Sequence, residues 1–334
     1  QVSGEQLLSV SEEELAAITP EGSPCVPALK QHLQHLCGHT RFQQRLLFLG
    51  SGAVLHDAAA LELPLDLQLV ILPYVAAHPK HCVDLRRHIE SDKLQKIESL
   101  LSRPLNPNLR LDETGRTALH AAASDGRAEI VRILLQARAD VDRVNDRGGT
   151  PLLKACQRKS SDVIRLLLAA RAEVDKADYD ERFPLLAACK HKHLDIVRLL
   201  LEARADVAHE GGATAVFLAC QTGQLELLQL LLAAKASCQR RNSSYETPLL
   251  MASLGGHAEM VRLLLEHERE NGPGDRSTRA RTLANSRSGH PSSPLTAACR
   301  DGLMATVHVL LEYEADPDLY SGLKETPLFV ASRA

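Results

Sequence analysis

The sequence predicts a mostly α-helical solenoid of about seven stacked repeats, the last one cut short, preceded by a small α+β domain. Three observations carry that prediction. The block Thr117-Ala118-Leu119-His120-Ala121-Ala122 recurs thirty-three residues on as Thr150-Pro151-Leu152-Leu153-Lys154-Ala155, and again as Phe183-Pro184-Leu185-Leu186-Ala187-Ala188. A strongly apolar second block follows each copy, as in Glu129-Ile130-Val131-Arg132-Ile133-Leu134-Leu135. Residues 26–72 instead show one short helical pattern followed by strand-like runs. A fixed period of this length marks one supersecondary unit stacked on copies of itself, because a single unit cannot bury its apolar face alone.

In chain order the first element is an amphipathic helix, Val26-Pro27-Ala28-Leu29-Lys30-Gln31-His32-Leu33, with Gly38 beyond it. Gln43-Gln44-Arg45-Leu46-Leu47-Phe48 follows. Leu65-Asp66-Leu67-Gln68-Leu69-Val70-Ile71-Leu72 then alternates in the manner of a strand until Pro73 ends it. The order of helix, loop glycine, Gln-Gln-Arg-Leu strand and Leu-x-Leu-Val strand resembles ubiquitin over about seventy residues.

That resemblance implies a β-grasp domain over residues 1–75, with most of its first strand missing because the chain starts at Gln1, just before a turn at Ser3-Gly4. It also implies a docking patch at Leu47 and Val70 on neighbouring strands, with Arg45 beside them and Val2 as a third member. Gln68 stands where ubiquitin carries a histidine. No Gly-Gly tail follows Leu72, and Lys30 is the only lysine before Lys80, so the domain is expected to be a built-in adaptor and not a conjugated tag.

Residues 76–82 read as a polar link. Residues 83–101 read as an atypical first unit in which Leu85, Ile89, Leu94, Ile97, Leu100 and Leu101 supply an apolar face, while charged residues cover the other side. A stack needs such a polar-faced end for solubility. The repeats follow, over residues 83–334 in all. At Thr150-Pro151, Thr247-Pro248 and Thr326-Pro327 the Thr-Pro pair starts a helix, with proline at the first helical position where its missing N–H is not needed. Leucine and alanine then recur at helical spacing, the alanines small enough to let a neighbouring helix approach closely. Between copies, Asp112-Glu113-Thr114-Gly115 and Asn145-Asp146-Arg147-Gly148 carry the turn chemistry of a projecting hairpin.

Later copies slip in phase. Thr214-Ala215-Val216-Phe217-Leu218-Ala219 arrives two residues early, and Thr247-Pro248-Leu249-Leu250-Met251-Ala252 returns to the interval. Ser293-Pro294-Leu295-Thr296-Ala297-Ala298 arrives thirteen residues late, and Thr326-Pro327-Leu328-Phe329-Val330-Ala331 opens a unit cut in its first helix at Ala334. The lag points to an insertion at about residues 269–291, rich in Gly, Pro, Ser and Arg, including Arg276, Arg279, Arg281 and Arg287. That composition predicts a mobile basic loop. Ser277, Thr278 and Ser288 lie beside its arginines, where phosphate would offset the positive charge.

Pooled over the copies, these blocks resemble the ankyrin repeat, whose T-P-L-H-x-A signature is met by Thr117, Leu119, His120 and Ala122. The second-helix pattern recurs at Val163-Ile164-Arg165-Leu166-Leu167, Asp195-Ile196-Val197-Arg198-Leu199-Leu200 and Glu259-Met260-Val261-Arg262-Leu263-Leu264. One departure recurs: Arg138, Arg171, Arg204, Lys235 and Glu314 end second helices where the family usually has glycine. A long side chain in the left-handed conformation costs roughly 1 kcal/mol, part of which a cation recovers from the helix dipole. The resemblance implies protein binding through hairpin tips and the concave faces of the first helices. The tip residues expected to make contact are Arg116, Arg147, Tyr179, Arg182, Tyr245 and Tyr320, since tyrosine and arginine are enriched at binding hot spots.

Composition excludes several other classes. A net charge of −3 gives no general pull toward nucleic acid or anionic membrane, and 3% aromatic residues with no tryptophan leave no stacking platform for single strands. No apolar run approaches membrane-spanning length. Of eight cysteines, Cys156, Cys189, Cys220 and Cys299 share one repeat position with Ala123 and Ser253, so they read as small packing residues in a reduced, intracellular chain. His32, His35, Cys37 and His39 lie close together, and His191 and His193 flank Lys192, but neither set has the spacing of a zinc site. Phosphate-loop, dinucleotide and nucleophile-elbow motifs are all missing, so neither cofactor nor metal is expected.

The function expected is a non-enzymatic scaffold or adaptor, monomeric and cytoplasmic, that recruits one or more proteins and no nucleic acid or membrane. An alternative is a regulatory or substrate-recruiting arm of a larger enzyme, a ubiquitin ligase or kinase whose catalytic domain lies beyond these ends. Nucleic-acid binding through the basic insertion is a third, which would demand a steep salt dependence of affinity.

Overall fold

The computed structural model describes residues 6–10, 26–37, 44–48, 65–71, 79–102, 105–208, 215–242, 244–275, 278–286, 292–320 and 325–333. They fall into two compact units, Gln1–Glu173 and Val174–Ala334.

The first unit begins with strand β1 (Gln6–Val10), helix α1 (Val26–Cys37) and strands β2 (Gln44–Phe48) and β3 (Leu65–Ile71). β1 is an addition to the expected elements. The strands pair antiparallel in the order β1-β3-β2. α1 buries Val26, Leu29 and Leu33, spaced for one helical face, and β2 buries Leu46. Two-faced alternation holds along β2, where Gln44 and Leu46 are buried and Arg45 is exposed.

Helical pairs follow: α2 (Pro79–Glu90) with α3 (Leu94–Leu101), α4 (Ala118–Asp125) with α5 (Ala128–Gln136), and α6 (Pro151–Arg158) with α7 (Ser161–Ala169). First helices stack on first helices, α2 on α4 on α6, and second helices on second, α3 on α5 on α7. The expected link over residues 76–82 is shorter than the sequence suggested, because Pro79 starts α2 at a position where a missing N–H costs nothing. Leu85, Ile89, Ile97 and Leu101 are the buried members of the expected apolar face.

The second unit holds α8 (Pro184–Lys190) with α9 (Leu194–Glu202), α10 (Ala215–Thr222) with α11 (Leu225–Ala233), and α12 (Pro248–Leu254) with α13 (Ala258–Asn271). After them come α14 (Arg279–Ala284), α15 (Pro294–Arg300), α16 (Met304–Glu312) and α17 (Pro327–Ala331). The first helices form the row α8, α10, α12, α15 and α17, and α13 packs on both α11 and α16. Caps follow the sequence pattern: the hydroxyls of Thr150, Thr247, Ser293 and Thr326 each accept the N–H three residues on, ahead of a proline.

The repeat position is fully buried at Ala123, Cys156, Cys189, Cys220 and Ser253, whereas Cys299, which shares it, is half-buried. Among the described residues Cys82, Cys156, Cys189, Cys220, Cys238 and Cys299 are free thiols. Burial pushes the Cys189 and Cys220 thiols up to about 12, so they stay protonated and act as packing groups.

Second helices end as the sequence implied. Arg138 (φ 60°), Arg171, Arg204 and Lys235 (64° each) and Glu314 (58°) all take the left-handed conformation. First helices end in the same way, on Gly126, Gly223, Gly256 and Gly302 but also on Lys159 and Lys192. Glu268, thirty-three residues after Lys235, breaks the rule: it stays helical, and α13 runs on to Asn271.

The insertion is therefore not the loop expected from its composition. Its described residues extend α13 and then form α14, which packs on α13 and buries Ala280, Leu283 and Ala284. Averaged composition hid one short apolar turn. The phase lag is also located. Side chains of Asn108, Asp142 and Asp175 accept the N–H groups of Asp140, Glu173 and Asp206, linking one copy to the next, and Asn285 does the same for Asp316 at 2.7 Å. Four residues separate Arg138 from Asp142 and Arg171 from Asp175, whereas seventeen separate Glu268 from Asn285. The difference is the thirteen-residue lag, so register is regained at Asn285.

Replacing Arg171 by glycine removes a left-handed side chain and is expected to raise stability by up to about 1 kcal/mol in urea unfolding. Gly115→Ala works the other way. At φ 73° its new Cβ would meet the Asp146 carboxylate and Arg110 guanidinium, and a loss of about 1–2 kcal/mol is expected in the same measurement.

Candidate functional site

The hairpins between helix pairs are built on one repeated device. Asp112 Oδ1 accepts the N–H groups of Thr114 (3.0 Å) and Arg116 (3.3 Å). Asn145 does the same for Arg147 and Gly149, Asp178 for Asp180 and Arg182, and Asn242 for Ser244 and Glu246. One short side chain thus satisfies two backbone donors that the turn leaves unpaired. Asn145 and Asp178 are buried while doing so.

In three of the four hairpins the residue four positions on closes the ring with its side chain, Gly149 being the exception. The Arg116 guanidinium donates to Asp112 Oδ2 at 2.7 Å, Arg182 bridges Asp178 and Asp180 at 2.8 Å each, and Asn242 Nδ2 donates to Glu246 at 2.8 Å. Arg116 and Arg182, expected from their residue type to reach a partner, thus also pair within their own hairpins while remaining partly exposed. Adjacent hairpins of the first unit are tied as well, by the Asp146 N–H donating to the Thr114 carbonyl (3.0 Å) and by an Arg110–Asp146 ion pair.

The other expected tip residues are left outward. Arg147 is exposed, and Tyr179, Tyr245 and Tyr320 are 75%, 66% and 62% exposed, far beyond what an aromatic ring shows in a core. Tyr245 has φ 61° at the tip position that Gly115 and Gly148 occupy in their hairpins, so its backbone is held where glycine is the unstrained choice.

In the small N-terminal sheet, Arg45 pairs opposite Val70 and Leu47 opposite Gln68, so the register places these four on one face. Arg45 is exposed there. Val2, the turn at Ser3-Gly4, and His39 lie outside the described residues, as do Ser277 and Ser288. His191 and His193 stack at 5.8 Å between ring centroids, and among the described residues no group of three His, Cys, Asp or Glu is placed to hold a metal. Among them, too, no helix is long and apolar enough to cross a membrane.

Two titrating groups bind the first hairpin to its helices. His120 is fully buried; its Nδ1 accepts the Thr117 N–H (3.2 Å) and its Nε2 donates to the Gly149 carbonyl (2.9 Å) of the next hairpin. Burial lowers its pKa, partly offset by the Gly149 bond and reinforced by Lys154 and Arg116. For Asp112, burial raises the pKa, but the Thr114 hydroxyl, the Arg116 side chain and the Arg116 N–H outweigh it and hold the carboxyl at about 2.

A cleft of mixed polar and apolar lining is the feature that residue types did not reveal. Glu268, 3% exposed, lies in it beside Cys238 and Gln239. The available signal was positional: Glu268, which should end a second helix, is followed by a glycine, Gly272, four residues beyond the place that the frame sets for it.

Residues 85–178, 172–242 and 218–319 match the family model for ankyrin repeats, in three copies. The fold is similar to that of the human ASB11 ankyrin repeat domain, at 24% identity and a TM-score of 0.54, over 65% of this chain and 92% of that one. It is also similar to the ankyrin repeat domain of Bcl-3, described as a unique member of the IkappaB protein family, at 30% identity and a TM-score of 0.54, over 66% of this chain and 95% of that one.

The pH dependence follows from the two shifts. A lowered histidine pKa means that the unfolded chain takes up a proton first, so His120 contributes stability above about pH 6.5 that is lost as pH falls below it. Asp112 contributes above its unfolded value of 3.8, and that share is lost toward about pH 2. Urea midpoints across pH are expected to show two separate acid losses, with His120→Gln flattening the upper one and Asp112→Asn the lower.

Proposed function

The chain belongs to the ankyrin repeat family, and on that premise we propose that it is a non-enzymatic adaptor that binds partner proteins through its hairpin tips and the neighbouring faces of its first helices. Ankyrin repeats bind other proteins, and the observation that carries the reading to particular residues is the exposure of Tyr179, Tyr245, Tyr320 and Arg147 on hairpins. A hairpin whose own donors are satisfied internally loses little backbone freedom on binding. Large rings on such a support supply contact area at low entropic cost, the usual composition of hot spots. Tyr245 adds a second sign: a left-handed tyrosine costs roughly 1–2 kcal/mol, and strain of that kind collects at functional positions.

The N-terminal residues 1–75 are proposed as a ubiquitin-like head that contributes a second surface at Arg45, Leu47 and Val70. The common face of these three in the β2–β3 register supports it. The protonated buried thiols favour a reducing compartment, and the cytoplasm is the proposed location.

Affinity capture from cell lysate with quantitative mass spectrometry tests the assignment. Changing Arg147, Tyr179 and Tyr245 together to alanine is expected to reduce recovery of the main partners at least about tenfold, with the helical circular dichroism unchanged. Full recovery by that variant, with loss on changing Arg45, Leu47 and Val70, would instead place recognition on the head.

A further inference from the structure

The insertion builds a site that no other described copy has. Because Glu268 stays helical where Arg138, Arg171, Arg204, Lys235 and Glu314 turn left-handed, its side chain is carried inward and becomes 3% exposed. Its Oε2 accepts the Cys238 thiol at 2.9 Å, its Oε1 accepts the Gln239 side-chain amide, and its carbonyl accepts the Gly272 N–H at 2.8 Å. A Cβ at Gly272 would collide with the carboxylate, so glycine is what lets the chain turn directly over it.

The carboxylate borders an open cleft of about 850 Å³. Leu232, Leu263 and Pro273 form apolar wall, Asn271 and Lys235 polar rim, and Asn271 and Pro273 belong to the insertion. Among the described residues Glu268 makes no ion pair: its side chain meets a neutral thiol and a neutral amide. Lys235 lines the cleft without pairing to it.

A carboxylate withdrawn from water with neutral donors alone lacks the charge compensation that buried anions normally have. A cation entering such a cleft recovers that interaction in a medium where it is strong. Ammonium is compact and strongly hydrated, whereas guanidinium is weakly hydrated, planar and presents paired donors that match the two carboxylate oxygens. Its methylene stem also covers apolar wall of the kind that Leu232, Leu263 and Pro273 provide.

We propose that this cleft receives an arginine side chain of a partner protein, with its guanidinium bonded to the Glu268 carboxylate. The site shares with the hairpin reading only the premise that the chain binds proteins, and it is separable from the tips.

The test is an NMR titration of the full chain with the blocked tripeptide Gly-Arg-Gly and with its citrulline counterpart, which keeps the shape and removes the charge. The arginine peptide is expected to shift resonances of residues 235–239 and 267–273, and to bind at least about tenfold more tightly than the citrulline peptide. Glu268→Gln is expected to weaken arginine binding at least about tenfold, and Lys235→Ala to tighten it by removing the rim cation. The Arg147, Tyr179 and Tyr245 triple variant should bind the tripeptide unchanged, which separates this site from the tips. Equal binding of citrulline by the native chain would mean that charge is not read, and would overturn the proposal whether or not Glu268→Gln folds. So would shifts confined to other residues, or none at millimolar peptide.

Discussion

How closely one helix pair can approach the next governs everything else in this chain. A pair such as α4 and α5 has too little apolar surface to fold alone, and its core residues Leu119, Ile130 and Leu134 are buried only because a neighbouring pair covers them. The approach is set at one frame position, where alanine, cysteine or serine is fully buried in five copies. Any larger group there would separate the first helices and lengthen every contact between pairs, which packed interiors tolerate poorly. The cysteines are best understood in that light. Their protonated thiols act as volume and not as chemistry.

Against that favourable stacking the backbone carries repeated small costs. Arginine, lysine or glutamate stands left-handed at five second-helix ends, and lysine at two first-helix ends. Each costs roughly 1 kcal/mol relative to glycine, so together they are comparable with the net stability of a typical domain. The hairpins carry the same cost at Glu181 and Tyr245, and Asp112, Asn145, Asp178 and Asn242 offset it by each satisfying two turn donors with a single side-chain oxygen. A tip so fixed is a rigid support, which is why the exposure of Tyr179 and Tyr245 has weight while that of a tyrosine on a loose loop would not.

The insertion shows how a stacked array absorbs extra residues. Thirteen residues are taken up between Glu268 and Asn285 without disturbing the units on either side, because Asn285 resumes the side-chain bond that Asn108, Asp142 and Asp175 make elsewhere. Arg281 and Asn285 further tie the segment to Glu314, in the following copy. The same detour prolongs α13 and encloses a carboxylate that no neighbouring copy possesses.

Elements with a period were legible in the amino-acid order. The Thr-Pro starts, the second-helix runs and the packing role of Cys156, Cys189 and Cys220 follow from spacing, because each copy meets the same neighbours in the same way, while the left-handed ends at Arg138 and its equivalents follow from the resemblance to the ankyrin repeat. What interrupts the period was not legible. Composition made residues 269–291 a loop, while a single turn around Leu283 found apolar cover against α13. Residue type placed Arg116 and Arg182 at the tips, but not the ion pair that each makes with an aspartate four residues earlier in its own hairpin. Sequence alone determined that this chain stacks helix pairs, since a repeated apolar face can be buried only by its own kind. Only the tertiary structure decided which side chains remain outward and which carboxylate is enclosed, since both depend on the partners that neighbouring copies bring within reach.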